Sequence, residues 1–432
     1  MINRFVRALG KWYINKCSIC NTSLIEIILK KNNEENFCKE CKIRFIFGRF
    51  ILKTILFFMK INLDDLINLS SDNEVIPLIN SFFRGISKFG IKAIKIGIPL
   101  YVVFDITKRC NLKCIHCYST PHHEDLELKE VYNVIDNVYE GGAAIIDFGG
   151  GEPLLRDDIF DILLYSKNVG LYTSISTNGI FLNEEYIKRL KDLKIDHICI
   201  SLDGANPETH DYIRNKSGTY EKTIEAIKNC VDAGINTQVS TVFMSSNIDE
   251  LEELYNLLDL LNINGWFVYD FIPAGRGSEL KNEMLNSKQR QQLFEQLQNY
   301  AASSNMSIKP YPYSITINSA YGKGTYFYKK YGRLTEFFKG CLTARWTCHI
   351  SNNGDIHPCY LLPHKLGNLK KQNFKDIWFD KSNIILKELR DRKKLRGDCG
   401  ICTYRDVCGG CRARAFYTRG NYFESDKCWI KN

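Results

Sequence analysis

The nine residues Cys110-Asn111-Leu112-Lys113-Cys114-Ile115-His116-Cys117-Tyr118 limit what this chain can become more than any other stretch. They follow a strand-like run, Tyr101–Ile106, and lead towards a helical pattern. The three thiols are spaced unevenly, three residues and then two, so a loop can curl round one object and aim every sulfur at it. Thiolates grouped this way suit soft metals and iron–sulfur clusters. A structural zinc takes four protein ligands, and His116 is the fourth donor nearby, so a zinc knuckle is the competing reading. Three Cys on a cubane of four irons leave one iron open to a substrate or cofactor.

The chain has 17 Cys in 432 residues, and most fall in C-x2-C-type groups. With no leader bearing a small-residue cleavage site, this usage predicts a reducing cytoplasm and metal-bound thiols. An oxygen-poor setting follows. The 44% hydrophobic content is enough for two or three domains. No charge-free apolar run is long enough to predict a transmembrane helix. Of the net charge of +9, most lies early: up to Ile61 twelve Lys/Arg face four Asp/Glu, a surplus of eight. That places any electrostatic partner at this end.

Within residues 1–98, Cys17-x2-Cys20 and Cys38-x2-Cys41 have the paired spacing of a tetrahedral zinc ribbon, with a rubredoxin-like iron site as runner-up. Residues 42–61 predict a basic amphipathic helix: Lys42, Arg49, Lys53 and Lys60 share a narrow arc, and Phe45, Ile46, Phe50, Phe57 and Phe58 fill much of the rest. Such a helix can pack on a neighbouring domain or lie in a membrane interface. Residues 78–98 look similar and strengthen the interface reading, which predicts peripheral contact with an anionic membrane. No single-strand stacking pattern accompanies the basic residues, so no nucleic acid is expected.

From 99 to 280, six strand-like runs (Tyr101–Ile106, Ala144–Phe148, Tyr172–Ser176, His197–Leu202, Thr237–Val242, Trp266–Phe271) alternate with helix-like stretches. Six β/α units predict an α/β fold, a partial (β/α)6 barrel of the TIM type, with functional residues at the C-terminal strand ends. Polar and glycine motifs fall there: Gly149-Gly150-Gly151-Glu152-Pro153, Ser176-Thr177-Asn178-Gly179, Ser201-Leu202-Asp203-Gly204 and Ile272-Pro273-Ala274-Gly275-Arg276-Gly277. Cys199 and Cys230 read as core thiols. Residues 281–335 read as a linker or substrate pocket, with a helix over 288–300 and then a Tyr-rich stretch.

The C-x3-C-x2-C loop with its following aromatic resembles the radical SAM signature. The resemblance implies that S-adenosylmethionine (SAM) binds the open iron held by Cys110, Cys114 and Cys117. An electron then breaks a carbon–sulfur bond, and a 5′-deoxyadenosyl radical takes hydrogen from an unactivated C–H bond. It assigns Gly150, Gly151 and Glu152 to the SAM amino group, though the family often has Ser where Gly149 stands. It makes Arg214 a candidate for the SAM carboxylate, and it places Tyr118, Ser176, Asn178, Ser201 and Asp203 around the same cofactor. A ferredoxin or flavodoxin would supply electrons. A regulatory iron–sulfur protein is the non-enzymatic alternative, but it leaves Gly150 to Glu152 without a role.

Residues 336–432 hold eight Cys, enough for two fully ligated [4Fe–4S] clusters. Cys341-x12-Gly354-x4-Cys359, the C-x2-C-x5-C-x2-C group and a last Cys resemble the SPASM extension, although the usual pattern has three residues where Gly409-Gly410 gives two. By analogy, Cys341, Cys348, Cys359 and Cys411 hold one auxiliary cluster; Cys399, Cys402, Cys408 and Cys428 hold the other. If Cys348 is structural, the first has an open iron. Leu389-Arg390-Asp391-Arg392 and Cys408–Ala415 look much like SPASM enzymes of anaerobic haem biosynthesis. The leading substrate expectation is a membrane lipid whose alkyl carbons are joined; the alternatives are a tetrapyrrole side chain and a ribosomal peptide.

Overall fold

The computed structural model describes residues 2–29, 38–58, 63–64, 67, 75–119, 124–304, 306–311, 341–406, 408–426 and 428. The six expected runs form β1 (Tyr101–Thr107), β2 (Ile145–Gly150), β3 (Tyr172–Thr177), β4 (His197–Ser201), β5 (Thr237–Phe243) and β6 (Gly265–Asp270). They pair consecutively and in parallel. Alternation decides which residues face where: Val102, Phe104 and Ile106 pack in the main core with the crossover helices, whereas Tyr101 and Val103 line the barrel interior.

The sheet is larger than six strands. β7 (Ser307–Tyr311) adds in parallel beyond β6, inside the stretch read as a linker. β8 (Thr347–Ile350) lies parallel to β1 at the opposite edge, and β9 (Asp355–His357) and β10 (Gly367–Asn368) continue it antiparallel. Among the described residues the order is therefore β10-β9-β8-β1-β2-β3-β4-β5-β6-β7. The cysteine-rich segment is thus hydrogen-bonded to the barrel's first strand. Of the Tyr-rich stretch, Tyr313, Tyr321, Tyr326, Tyr328 and Tyr331 lie outside the described residues.

Among the described residues, five helices precede β1: α1 (Ile2–Ile14), α2 (Leu24–Leu29), α3 (Lys39–Phe58), α4 (Val75–Phe89) and α5 (Ile91–Ile96). The second apolar basic segment departs from expectation. Gly90, at φ 60°, separates α4 from α5, and the pair packs under the barrel rather than facing outward. Ile86, Ala93 and Ile98 share one apolar cluster with Ile145, Tyr172 and Trp346, and Ser81 and Arg84 donate to the Gly142 and Ala143 carbonyls. Much of the segment's apolar face thus packs on the barrel floor. α3 differs. Its Arg44 is anchored to the Trp12 and Asn15 carbonyls at 3.2 and 3.1 Å, and Leu52 is buried, but its opposite side is open. Lys60 and the side chains of Phe57 and Phe58 lie outside the described residues. No described helix is long and apolar enough to cross a membrane.

Candidate active site

The barrel is hollow. Inward positions carry Gly149 on β2, Ser176 on β3, Ser201 on β4 and Ser240 on β5, side chains too small to fill it. They leave a cavity of about 420 Å³ that runs from the loops at the C-terminal strand ends down to Tyr101, Val103, Phe267 and Tyr269 within the barrel. Cys110, Cys114 and Cys117 sit at its upper end. Their loop is held on two sides: Ile115 N donates to the Ile213 carbonyl at 2.9 Å, and Arg276 binds the Cys114 carbonyl at 2.8 Å and the Cys117 carbonyl at 2.9 Å. Burial pushes the Cys110 thiol up to about 11, and its neighbours Glu152, Cys114 and Cys117 add to the shift. A metal that displaces the protons relieves this cost, so a soft donor set facing an open cavity fits an iron–sulfur cluster.

His116 does not join these thiols. Its Nε2 faces buried Asp203 at 3.7 Å, and burial lowers its pKa to about 4. The zinc-knuckle alternative therefore lacks its fourth ligand. Arg214 donates to Cys114 Sγ at 3.8 Å and is fixed by an ion pair with Asp203 at 2.7 Å.

The residues expected around SAM divide in two. Tyr118, Gly150, Gly151, Ser176, Asn178, Ser201 and Arg214 line the cavity. Glu152 and Asp203 lie behind it, fully buried. Glu152 accepts from Thr177 Oγ1 at 2.7 Å, Asn178 N at 2.8 Å and Leu154 N at 3.1 Å. It therefore fastens the β2 end to the β3 end, and burial raises its pKa to about 7 against those donors. Asn178 in turn donates to Asn111 Oδ1 at 2.7 Å, which ties β3 to the cysteine loop. Gly150 has φ 118°, and a Cβ on Gly151 would lie 2.1 Å from the Arg109 carbonyl oxygen. Only glycine allows this backbone crossing.

Asp105, Lys108, His349 and Asp147 carry no motif signal in the sequence. Asp105, buried in β1, accepts from Tyr118 Oη at 3.1 Å and Lys108 Nζ at 3.0 Å, and lies 3.0 Å from His349 Nε2 of β8. Burial opposes its charge, but His349 and Lys108 outweigh this and hold its pKa below the usual carboxylate range. Lys108 and Tyr118 reach the cavity; Asp105 positions them. Asp147 lines the cavity beneath Gly149, and burial raises its pKa despite donors from Ser174 at 2.6 Å and Ser176 at 2.8 Å. A single acid interrupting an apolar strand, as in Val-Val-Phe-Asp-Ile and Ile-Ile-Asp-Phe, was the available signal.

The C-terminal thiols also fall into groups. Cys341, Cys359 and Cys411 border the same cavity, and the charge of Cys341 acts on both of the others. Cys348 borders it too but is buried on β8, opposite Val102, in the main core, and only burial raises its thiol. Cys399 and Cys428 both act on Cys408, and Arg412 donates to Cys399 Sγ at 3.8 Å. Cys402 accepts from Tyr404 N at 3.3 Å. Fully buried Arg414 pairs with Asp270 at the β6 end and, at 3.2 Å, with Asp426, which accepts from Cys411 N at 2.8 Å. That chain of charges ties the cysteine-rich segment to the barrel.

The N-terminal thiols make a separate centre. Cys17, Cys20, Cys38 and Cys41 place all four sulfurs within 4.8 Å of one another. Cys17 and Cys38 Sγ are 3.7 Å apart, the edge of a tetrahedron of roughly 2.3 Å metal–sulfur bonds. The set fits one metal ion rather than a cubane. Backbone N–H groups of Cys20 and Ile19 lower the Cys17 thiol to about 7, and burial raises Cys41.

The sequence model of the radical SAM superfamily matches residues 104–258, and that of the SPASM iron–sulfur cluster-binding domain matches 341–411. The AdoMet-dependent heme synthase of Methanosarcina barkeri is 32% identical over 337 residues, 76% of this chain and 95% of that one. Mycofactocin maturase MftC of Mycolicibacterium smegmatis is 26% identical over 81% of this chain and 85% of its own. In structure the chain resembles Streptococcus suis SuiB bound to S-adenosylmethionine, with TM-score 0.63, 18% identity, and coverage of 81% of this chain and 82% of that one. The family's domains imply [4Fe–4S] clusters and SAM. This chain is a radical SAM enzyme carrying a SPASM iron–sulfur domain.

Proposed function

We propose that the enzyme removes hydrogen from the alkyl chains of a membrane lipid and joins the resulting carbons, docking peripherally on an anionic membrane and drawing electrons from a ferredoxin or flavodoxin. When bound, the cluster and SAM supply the one-electron chemistry that takes hydrogen from an unactivated C–H bond. Cys110, Cys114 and Cys117 hold the cluster. Gly150, Gly151, Tyr118, Ser176, Asn178, Ser201 and Arg214 face SAM, while Glu152 and Asp203 act through the residues they fix.

The observation that carries the lipid reading is where the cavity ends. Its deep wall is Tyr101, Val103, Phe267, Tyr269 and Leu342. Tyr101 and Leu342 also pack in the apolar cluster with Leu78, Phe82 and Ile86 of α4. The bore passes Asp147 and the inward serines, and its far end, on side chains shared with the amino-terminal helices, is the part that suits a hydrocarbon chain. About a quarter of this chain, by contrast, lies outside the alignment with the Methanosarcina relative.

In this reading Cys341, Cys359 and Cys411 hold one auxiliary cluster with an open iron, Cys399, Cys402, Cys408 and Cys428 hold the other, and the amino-terminal thiols are assigned to zinc. The second reading, a tetrapyrrole side chain, is favoured by relatives named AdoMet-dependent heme synthase, Fe-coproporphyrin III synthase and pre-heme d1 synthase. Anaerobic reconstitution with lipid, porphyrin and peptide, followed by product analysis, tests both. Turnover of the lipid alone supports the first. Turnover of the porphyrin alone replaces it with the second, and turnover of the peptide alone refutes both.

A further inference from the structure

We propose that one face of α3 is a docking surface for an anionic lipid bilayer. This deepens the membrane part of the reading above but rests on a surface remote from the active site. Ile43, Ile46, Phe47 and Phe50 are 59, 66, 61 and 71% exposed. They recur at i, i+3, i+4 and i+7, so they form one stripe spanning about 100° of the helix. Large apolar side chains occur singly on soluble surfaces, but four contiguous ones mark an interaction site.

The partner's chemistry follows from the border. At 100° per residue, Lys42, Arg49 and Lys53, all exposed, fall together along one edge of the stripe. Long basic side chains beside an outward apolar face can place ammonium and guanidinium groups at a headgroup layer while the stripe enters the acyl boundary. A second copy of this chain would bring two basic borders together, which disfavours self-association as the occupant. The helix is held rigidly for the purpose. Cys38 and Cys41 anchor its first turn in the four-thiol centre, Arg44 ties it to α1, and Tyr13 Oη donates to the Gly48 carbonyl at 2.8 Å. Ile19, on the knuckle between Cys17 and Cys20, adds a further exposed apolar side chain beside that centre.

The experiment is flotation of the full, anaerobically prepared protein with phosphatidylcholine vesicles, with and without phosphatidylglycerol. Wild type is compared with an Ile46→Gln/Phe47→Gln/Phe50→Gln variant and a Lys42→Gln/Arg49→Gln/Lys53→Gln variant. All six side chains are exposed, and circular dichroism checks that each variant folds. The wild type is expected to float with anionic vesicles at low salt and to lose most of that binding at high salt. The apolar variant should stay in the soluble fraction, and the basic variant should bind roughly a hundredfold more weakly. Wild type remaining soluble at low salt, or all three proteins partitioning alike, overturns the proposal. So does a concentration-dependent dimer that the apolar variant abolishes without any vesicle binding. Flotation without lipid turnover leaves the docking surface standing and removes only the lipid as substrate.

Discussion

The cysteine loop acts through the residues that hold it as much as through its sulfurs. Cys114→Ala is expected to abolish reductive SAM cleavage, read as 5′-deoxyadenosine by chromatography, while far-ultraviolet circular dichroism stays unchanged. Gly151→Ala should do nearly the same with every thiol present, because its Cβ would lie 2.1 Å from the Arg109 carbonyl oxygen and push the loop away. Cys348 separates a ligand from a core thiol. Cys348→Ala should keep the full iron content, whereas Cys359→Ala should lose about four irons per chain. Equal loss in both variants would make Cys348 a ligand. The motif spacing singled out Cys110, Cys114 and Cys117 from sequence, because ligand spacing is local, and the structure gathers them at one cavity. Spacing left Cys348 open between ligand and core thiol, and its strand register against Val102 is a long-range fact.

Among the elements, the short helix α9 (Pro207–Arg214; α6 (Leu128–Glu140), α7 (Ile159–Val169) and α8 (Glu184–Asp192) precede it) carries a buried proton-sensitive group. His210 Nδ1 accepts from Asp203 N at 3.2 Å, and burial, with Arg214 nearby, lowers its pKa to about 4. A depressed histidine stabilises the fold above its unfolded value and loses that contribution as pH falls towards 4. Between pH 6.5 and 5 the unfolding free energy should drop by about 1–2 kcal/mol on this account. His210→Gln should remove this term, read in guanidinium titrations as a wild-type minus variant difference that falls by about 1–2 kcal/mol over that range. Buried Glu152, raised to about 7, works in the opposite direction. Its favourable contribution is present in full below the unfolded carboxyl value and disappears as pH rises through about 7, so between pH 6.5 and 5 it is of about the same size as the histidine term and opposite in sign. At α3, Cys41→Ser should release one metal ion and speed amide exchange through the helix's first turns. Unchanged exchange would mean the centre does not anchor the helix.

The strands and crossover helices of the barrel were legible because their apolar periods are local. The hollow interior was not, since it depends on Gly149, Ser176, Ser201 and Ser240 meeting across four strands. Nor was the different fate of two similar helical segments. α4 and α3 both read as apolar and basic, yet contacts with Gly142 and Ala143 turn one inward while the other keeps Phe50 exposed. Coupling between barrel and cysteine-rich segment runs through Arg414. Arg414→Met should leave Asp270 and Asp426 with Arg290, 3.8 Å from Asp426, as their remaining cation, and cost up to about 3–5 kcal/mol, read as loss of protection of the cysteine-rich segment in hydrogen exchange.

Whether hydrogen leaves a lipid alkyl carbon is tested most directly by anaerobic incubation of the reconstituted enzyme, SAM and a reductant with chain-deuterated membrane lipid, followed by mass spectrometry of the 5′-deoxyadenosine formed. Deuterium in that product is the predicted result. Unlabelled 5′-deoxyadenosine with the lipid, alongside labelled product from a side-chain-deuterated porphyrin, would contradict it.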